Sequence, residues 1–221
     1  MFIPNFVQTY YSSTSGIDIG KGTPSSLYVA MGLQEGPCGN GWYNQYVAIT
    51  YGAANGDYDK ANDMAKQDIS KSLATFKQNP LYATKFFFGK TLSQWNEPSF
   101  QSLWMSDYWG NHSEEISQVT ENIYRGTLNK IFLKIMDSVV LLIWLGNAIF
   151  YCRKQKTISI EQLLLGIVFL GGFIFHLFWE AKALYIMPYF ILSIISGVQG
   201  IDFMFHKLSN WMKSYICKTV S

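Results

Sequence analysis

The sequence predicts a mainly α protein: an α-helical integral membrane protein with three C-terminal transmembrane helices behind an N-terminal domain of mixed loop and helix. Two observations carry this fold class. Apolar runs at 162–179 and 184–201 are separated only by the charged tetrapeptide Glu180-Ala181-Lys182-Ala183, and a third run at 135–152 precedes them. Each run is about 18 residues, roughly 27 Å of helix, close to the thickness of a bilayer's hydrocarbon core. The predicted spans are 134–152, 161–180 and 184–204, within a membrane region 131–205 that follows a loop domain at 1–130. A short basic tail, 206–221, closes the chain. The chain-wide values of 49% hydrophobic and 14% charged residues hide this division, because they average a polar part and an apolar part.

Other totals exclude function classes. A net charge of +2, with no Lys/Arg cluster interleaved with aromatics, gives nucleic acid no binding track. Cys38, Cys152 and Cys217 are odd in number and have no metal-ligand spacing. Cys152 and Cys217 sit where thiol acylation occurs, although ordinary free thiols are the more frequent case.

Within 1–130, residues 1–55 are rich in Gly, Ser, Tyr and Asn, with turn signals at Gly36-Pro37, Gly39-Asn40-Gly41 and Asn55-Gly56. Loops with short extended or helical pieces are expected there, one of them Ser25–Gly32. A helix follows: Asp57 can cap it, and Tyr58, Ala61, Met64, Ala65, Ile69, Leu73 and Phe76 keep three- and four-residue spacings. It should end near Asn79-Pro80, where Pro80 suits the first turn of a second helix, Pro80–Trp95. The aromatic stretch 85–90 fits either a membrane surface or a small domain core. Trp95, Phe100, Trp104, Tyr108 and Trp109 are side chains that favour the headgroup level of a bilayer. Residues 114–129 read as a helix entering the first span. Asn111-His112-Ser113 matches a glycosylation sequon, which chance alone supplies in a chain this long.

Cations set an expected orientation. Arg153, Lys154 and Lys156 lie between the first two spans, and Lys207, Lys213 and Lys218 follow the third; Arg125, Lys130, Lys134 and Lys182 lie on the other side. The positive-inside rule then places the 153–156 loop and the C-terminus in the cytoplasm and the 1–130 domain outside, in a multi-pass protein of the cell membrane. The N-terminus lacks the basic start and apolar core of a secretory signal. The expectation is therefore a C-terminal part of a larger membrane protein whose upstream spans deliver the domain outward. The other possibility is an inverted topology.

Soluble-enzyme signatures are missing: no nucleophile elbow, Walker loop, Rossmann glycines or His-Glu-x-x-His. His112, His176 and His206 are too dispersed for a metal site. Polar groups bordering the spans carry more weight, because ionisable groups in lipid are costly. His176 and Glu180 are spaced to share a helix face and pair. Lys182, with Tyr185 and Tyr189 beyond it, could hold a lipid phosphate, or Glu180 and Lys182 could simply anchor a tight hairpin among headgroups.

The stretch from Phe175-His176-Leu177-Phe178-Trp179-Glu180-Ala181-Lys182-Ala183-Leu184-Tyr185 to Ile186-Met187-Pro188-Tyr189-Phe190 resembles the final hairpin of polytopic bacterial glycosyltransferases. These belong to the dolichyl-phosphate-mannose protein mannosyltransferase-like (type C) superfamily. Two upstream pieces resemble the large external loop before the last spans of such proteins: Gly32-Leu33 with Gly41-Trp42-Tyr43-Asn44, and Lys90-Thr91-Leu92-Ser93-Gln94-Trp95-Asn96-Glu97-Pro98-Ser99-Phe100. The resemblance implies transfer of a sugar from a polyprenyl-phosphate carrier, within a membrane-lipid environment, to an extracytoplasmic acceptor. It implies that Lys182, Glu180 and Tyr185 contact the carrier phosphate or brace groups that do, and that Trp95, Asn96 and Glu97 line the external cavity or brace its loop. The family's catalytic carboxylate, a base or metal-assisting group, lies in a first external loop that matches no residue here. No catalytic residue or resident cofactor is therefore assigned; a divalent metal belongs, if anywhere, to the full-length enzyme. Alone the chain should be inactive, with a separate N-terminal portion of the same enzyme as partner.

The competing expectation is a non-enzymatic small membrane protein whose external domain binds a partner. A transporter fragment is weaker, since Ser193, Ser196, Gly197 and Gly200 more simply permit close helix packing.

Overall fold

The structure, a computed structural model, describes residues 2–17, 20–110, 117–153 and 159–220. In order its elements are α1 (Phe2–Ser15), α2 (Ser25–Gly32), β1 (Glu35–Gly36), β2 (Gly39–Asn40), α3 (Tyr46–Ala53), α4 (Tyr58–Gln78) and α5 (Pro80–Trp95). They continue with α6 (Ser102–Gly110), α7 (Gln118–Tyr124), α8 (Thr127–Cys152), α9 (Ile160–Phe178), a 3-10 turn at Ala183–Ile186 and α10 (Met187–Val220). The protein is mainly α, as expected. Three of its helical stretches, Gln118–Cys152, Ile160–Phe178 and Ala183–Lys213, are long and apolar enough to cross a membrane. The chain divides into two compact units, Met1–Lys90 with Phe175–Ala181, and Thr91–Ile174 with Lys182–Ser221.

In the first unit, α2, α3 and α4 share a core of Leu27, Ala30, Ala54, Ala61 and Ala65, to which Tyr46, Val47, Met64 and Ile69 are added. The apolar stripe of α4 faces this core, and its first turn is closed by Asp57, whose carboxylate accepts from the Lys60 amide at 2.9 Å. A second cluster joins Leu33, Phe76 and Phe86. Phe86 is buried there while Phe88 stays exposed, so one face of the 85–90 stretch is domain core. β1 and β2 form a two-stranded antiparallel hairpin, with Glu35 paired to Asn40 and Gly36 to Gly39.

The second unit is built on α8 and α10. Small residues let their backbones meet: a Cβ on Gly197 would lie 2.9 Å from the Ile143 carbonyl oxygen, and one on Gly200 would collide with the Gly146 carbonyl. Asn147 locks the pair, donating to the carbonyls of Ile143 (2.8 Å) and Ser193 (2.9 Å) and accepting from Ser196 Oγ at 2.5 Å. Elsewhere the spans present bare apolar side chains, among them Leu141, Leu145, Leu163, Ile167, Ile191 and Ile195. Water penalises such a surface and lipid does not.

Several expectations need correction. Residues 2–15 form a longer helix than the short pieces expected in 1–55, while 46–53 is another such short helix. The predicted entry helix at 114–129 breaks at Arg125 and Gly126, between α7 and α8, and its first residues lie outside the described ones. The helix that holds the first predicted span begins at Thr127, upstream of 134, and the helix that holds the second ends at Phe178. The expected tail at 206–221 is no separate element, because α10 runs on to Val220 with Asp202 and His206 paired one turn apart at 3.4 Å and Trp211 stacked on Tyr215. The sequon at 111–113, Lys154 and Lys156, and the side chains of Tyr108, Trp109, Cys217 and Lys218 lie outside the described residues.

Candidate functional site

The first unit is organised around one buried cation. Lys90, 1% exposed, sits near the end of α5 and donates to the carbonyls of Gly32 (2.6 Å), Leu177 (3.0 Å) and Trp179 (2.7 Å). Those partners are 58, 87 and 89 residues away in sequence. Gly32 is the last residue of α2, and Leu177 and Trp179 bracket the end of α9. Helix ends carry carbonyls without intrahelical partners and a partial negative charge, so one ammonium satisfies the termini of two helices. Burial pushes the Lys90 pKa down to about 7; the three carbonyl acceptors work against that shift by favouring the charged form.

The glycines around Lys90 are required by close approach. A Cβ on Gly32 would lie 2.5 Å from the Phe178 carbonyl oxygen, and one on Gly41 would lie 2.7 Å from Lys90 Cε. The 175–181 segment is then sewn on by backbone: Ala181 N–H donates to the Gly41 carbonyl at 2.7 Å, and Trp42 forms a parallel bridge with Ala181. Trp179 stacks on Tyr28 with centroids 5.4 Å apart.

The spacing argument for a His176–Glu180 pair assumes one helix through both residues, and the backbone here differs. α9 stops at Phe178, so the two residues do not share a helix face. The helix ends there while its carbonyls turn to Lys90. Both side chains are buried in this unit, His176 at 4% exposure and Glu180 at 8%.

In the second unit, Lys182 is half-buried, with its ammonium 5.5 Å from the centre of the Tyr185 ring, a cation–π arrangement. Gln94 Nε2 donates to the Lys182 carbonyl at 3.4 Å, and Gln101 Oε1 accepts from the Leu184 amide at 3.4 Å. Trp95 is buried among Trp144, Phe169, Phe173 and Tyr189, at centroid distances of 5.3–5.9 Å. It is therefore packed against the rings of this unit. Its carbonyl also accepts from Trp144 Nε1 at 3.2 Å. Glu97 turns inward on its own loop, accepting from Ser99 N–H (3.2 Å), Ser99 Oγ (2.6 Å) and the Gln101 amide. This holds Phe100 and Gln101 in the left-handed region, with φ of 48° and 68°, a conformation non-glycine residues adopt at a cost. Asn96 is half-buried in the same turn.

The structure thus divides the predicted residues. Lys182, Tyr185 and Trp95 lie in the second unit, with Asn96 and Glu97 in its supporting turn, while Glu180 belongs to the first unit. Sequence reasoning missed Lys90, Gln94 and Gln101. Lys90 and Gln94 stood only within the polar-aromatic stretch ending at Phe100, and Gln101 just after it, because the partners that define them are distant in sequence. Among the described residues, no three His, Cys, Asp or Glu side chains gather as a metal-ligand set. No family model, curated protein or solved structure matches the chain.

Proposed function

We propose that this chain is the part of a lipid-carrier-dependent membrane glycosyltransferase that comprises its last external loop and final three spans. The whole enzyme would move a sugar from a polyprenyl phosphate to an extracytoplasmic acceptor. The observation that supports this best is long-range: the three stretches carrying the resemblance make specific contacts far apart in sequence. In the first unit, Gly32, Gly41-Trp42 and the 175–181 segment meet around Lys90. In the second, Gln94 donates to the Lys182 carbonyl, and Gln101, one residue past the matching stretch, accepts from the Leu184 amide. Residues of a decorative loop would have no reason to converge in this way.

In this reading Lys182 supplies positive charge to the carrier phosphate, while the Tyr185 ring beneath it limits where the ammonium can go. The 1–130 domain faces the cell exterior, and the C-terminus the cytoplasm, as six cations against four favour. The base that the resemblance implies matches no residue of this sequence, so transfer is to be measured on the assembled enzyme.

The test is sugar transfer by membranes holding the assembled enzyme, with a polyprenyl-phosphate sugar as donor. Lys182→Ala should raise the KM for that donor about tenfold, the size of one lost charge-assisted hydrogen bond. An unchanged KM would remove the phosphate role. No transfer of any sugar, together with a first unit that binds a protein partner by itself, would favour the non-enzymatic reading.

A further inference from the structure

α1 faces the wrong way for a helix in water. In its sequence Phe2-Ile3, Phe6-Val7 and Tyr10-Tyr11 alternate with Pro4-Asn5, Gln8-Thr9 and Ser12-Ser13. On an α-helix that period gathers the apolar pairs into one stripe. Here the stripe points outward: Phe6 is 72% exposed and Val7, Tyr10 and Tyr11 are exposed with it, whereas the polar Gln8 and Ser12 are half-buried. Its rings form one patch, with Phe6 stacked on Tyr10 at a centroid distance of 6.4 Å and Tyr10 meeting Tyr11 edge-on at 5.5 Å. Among the described residues, the core clusters around Leu27 and Phe86 take nothing from α1. A bare apolar patch on this scale marks a surface that something covers.

Two coverings compete, protein and lipid. The stripe is too small to hold a protein partner. A helix of 14 residues is about 21 Å long and one face about 10 Å wide, roughly 200 Å², against about 800 Å² per partner in a stable complex. A bilayer sets no such threshold, because the membrane-crossing helices of the same chain already hold α1 near it. The composition also fits the boundary between headgroups and acyl chains: Phe and Val suit the hydrocarbon, and Tyr keeps its hydroxyl among the headgroups. Residues 2–17 contain no Asp, Glu, Lys, Arg or His, so the attachment owes nothing to lipid charge. The hydroxyls at the end of α1 are already satisfied. Ser13 and Thr14 donate to the Tyr10 carbonyl at 2.8 Å and Ser15 to the Tyr11 carbonyl at 2.7 Å, so contact with lipid strands none of the three.

We propose that α1 is an interfacial helix, lying along the surface of the bilayer that its own chain crosses, with Phe6, Val7, Tyr10 and Tyr11 inserted at the headgroup–acyl boundary. This needs the membrane spans but not the sugar-transfer reading, so either can fail without the other.

The experiment uses the full chain in phosphatidylcholine nanodiscs, with Cys38, Cys152 and Cys217 changed to serine. A nitroxide is attached through Val7→Cys, Thr9→Cys or Thr14→Cys, one at a time. Positions 7 and 14 lie two turns apart on one side of the helix, and position 9 lies across from them. Oxygen, which partitions into lipid, should relax labels at 7 and 14 more than a water-soluble nickel chelate does, with the opposite order at 9. Labels at 7 and 14 should report the same depth, although about 10 Å of helix axis separates them. Phe6→Asp with Tyr10→Asp should turn the label at 7 over to the nickel chelate, while hydrogen exchange in α2 and α4 is unchanged. The pattern should persist when phosphatidylglycerol is mixed in. Nickel-dominated relaxation at all three positions would leave α1 in water, and access by neither reagent at 7 and 14 would mean that protein covers the stripe. Unequal depths would make α1 the end of a crossing helix, undiminished oxygen access in the Asp variant would remove the stripe's role, and a pattern that appears only with phosphatidylglycerol would make charge the cause. Each of these results overturns the proposal.

Discussion

The two units handle buried polarity in opposite ways. The first places an ionisable amine, Lys90, at 1% exposure and surrounds it with three backbone carbonyls drawn from the ends of two helices. The second uses neutral groups, with Asn147, Ser193 and Ser196 trading hydrogen bonds between α8 and α10 over a floor of glycines. A buried ion is costly unless its hydrogen bonds are complete, so the first arrangement tolerates little change. Neutral pairs in a membrane contribute modestly and also find partners when separated, so the second depends more on close packing than on any one bond. The difference teaches where each unit is fragile.

Three substitutions sharpen that contrast. The largest effect should come from Lys90→Met, which leaves three carbonyls without their donor and should cost about 3 kcal/mol or more. Hydrogen exchange should show lost protection in α2 and around 175–181, with α8 and α10 unaffected. Equal loss in both would mean that the units do not behave separately. Gly200→Leu should come next, at about 1–3 kcal/mol, by forcing α10 off the Gly146 backbone; thermal unfolding in detergent measures it. Asn147→Leu should be smallest, about 1 kcal/mol, since packing persists when its hydrogen bonds go. If Asn147→Leu cost more than Gly200→Leu, the ranking of packing over hydrogen bonding in the second unit would be wrong.

Much of the fold was legible because it is local. α2, α4 and α5 follow from apolar spacing, from Asp57 as a cap and from Pro80 as a helix-starting residue, and the three spans follow from length and composition. α1 was hidden by its serines and threonines, whose hydroxyls fold back on the helix's own carbonyls, as Thr14 does on Tyr10 at 2.8 Å. The end of α9 could not be read from spacing at all. His176 and Glu180 sit at helical separation, yet the chain leaves the helix where its carbonyls meet a lysine 87 residues upstream. Of the candidate site, Lys182, Tyr185 and Trp95 were visible as residue types in an unusual setting. Lys90, Gln94 and Gln101 were not, because what marks them is which distant backbone they hold.

The most direct test of the membrane account is thiol labelling of Cys38, an exposed cysteine in the β1–β2 turn of the first unit. With Cys152 and Cys217 changed to serine, a membrane-impermeant maleimide added to intact cells should label Cys38 as fully as it does after lysis. Labelling that appears only once the cells are broken would put that unit in the cytoplasm and contradict the proposed function.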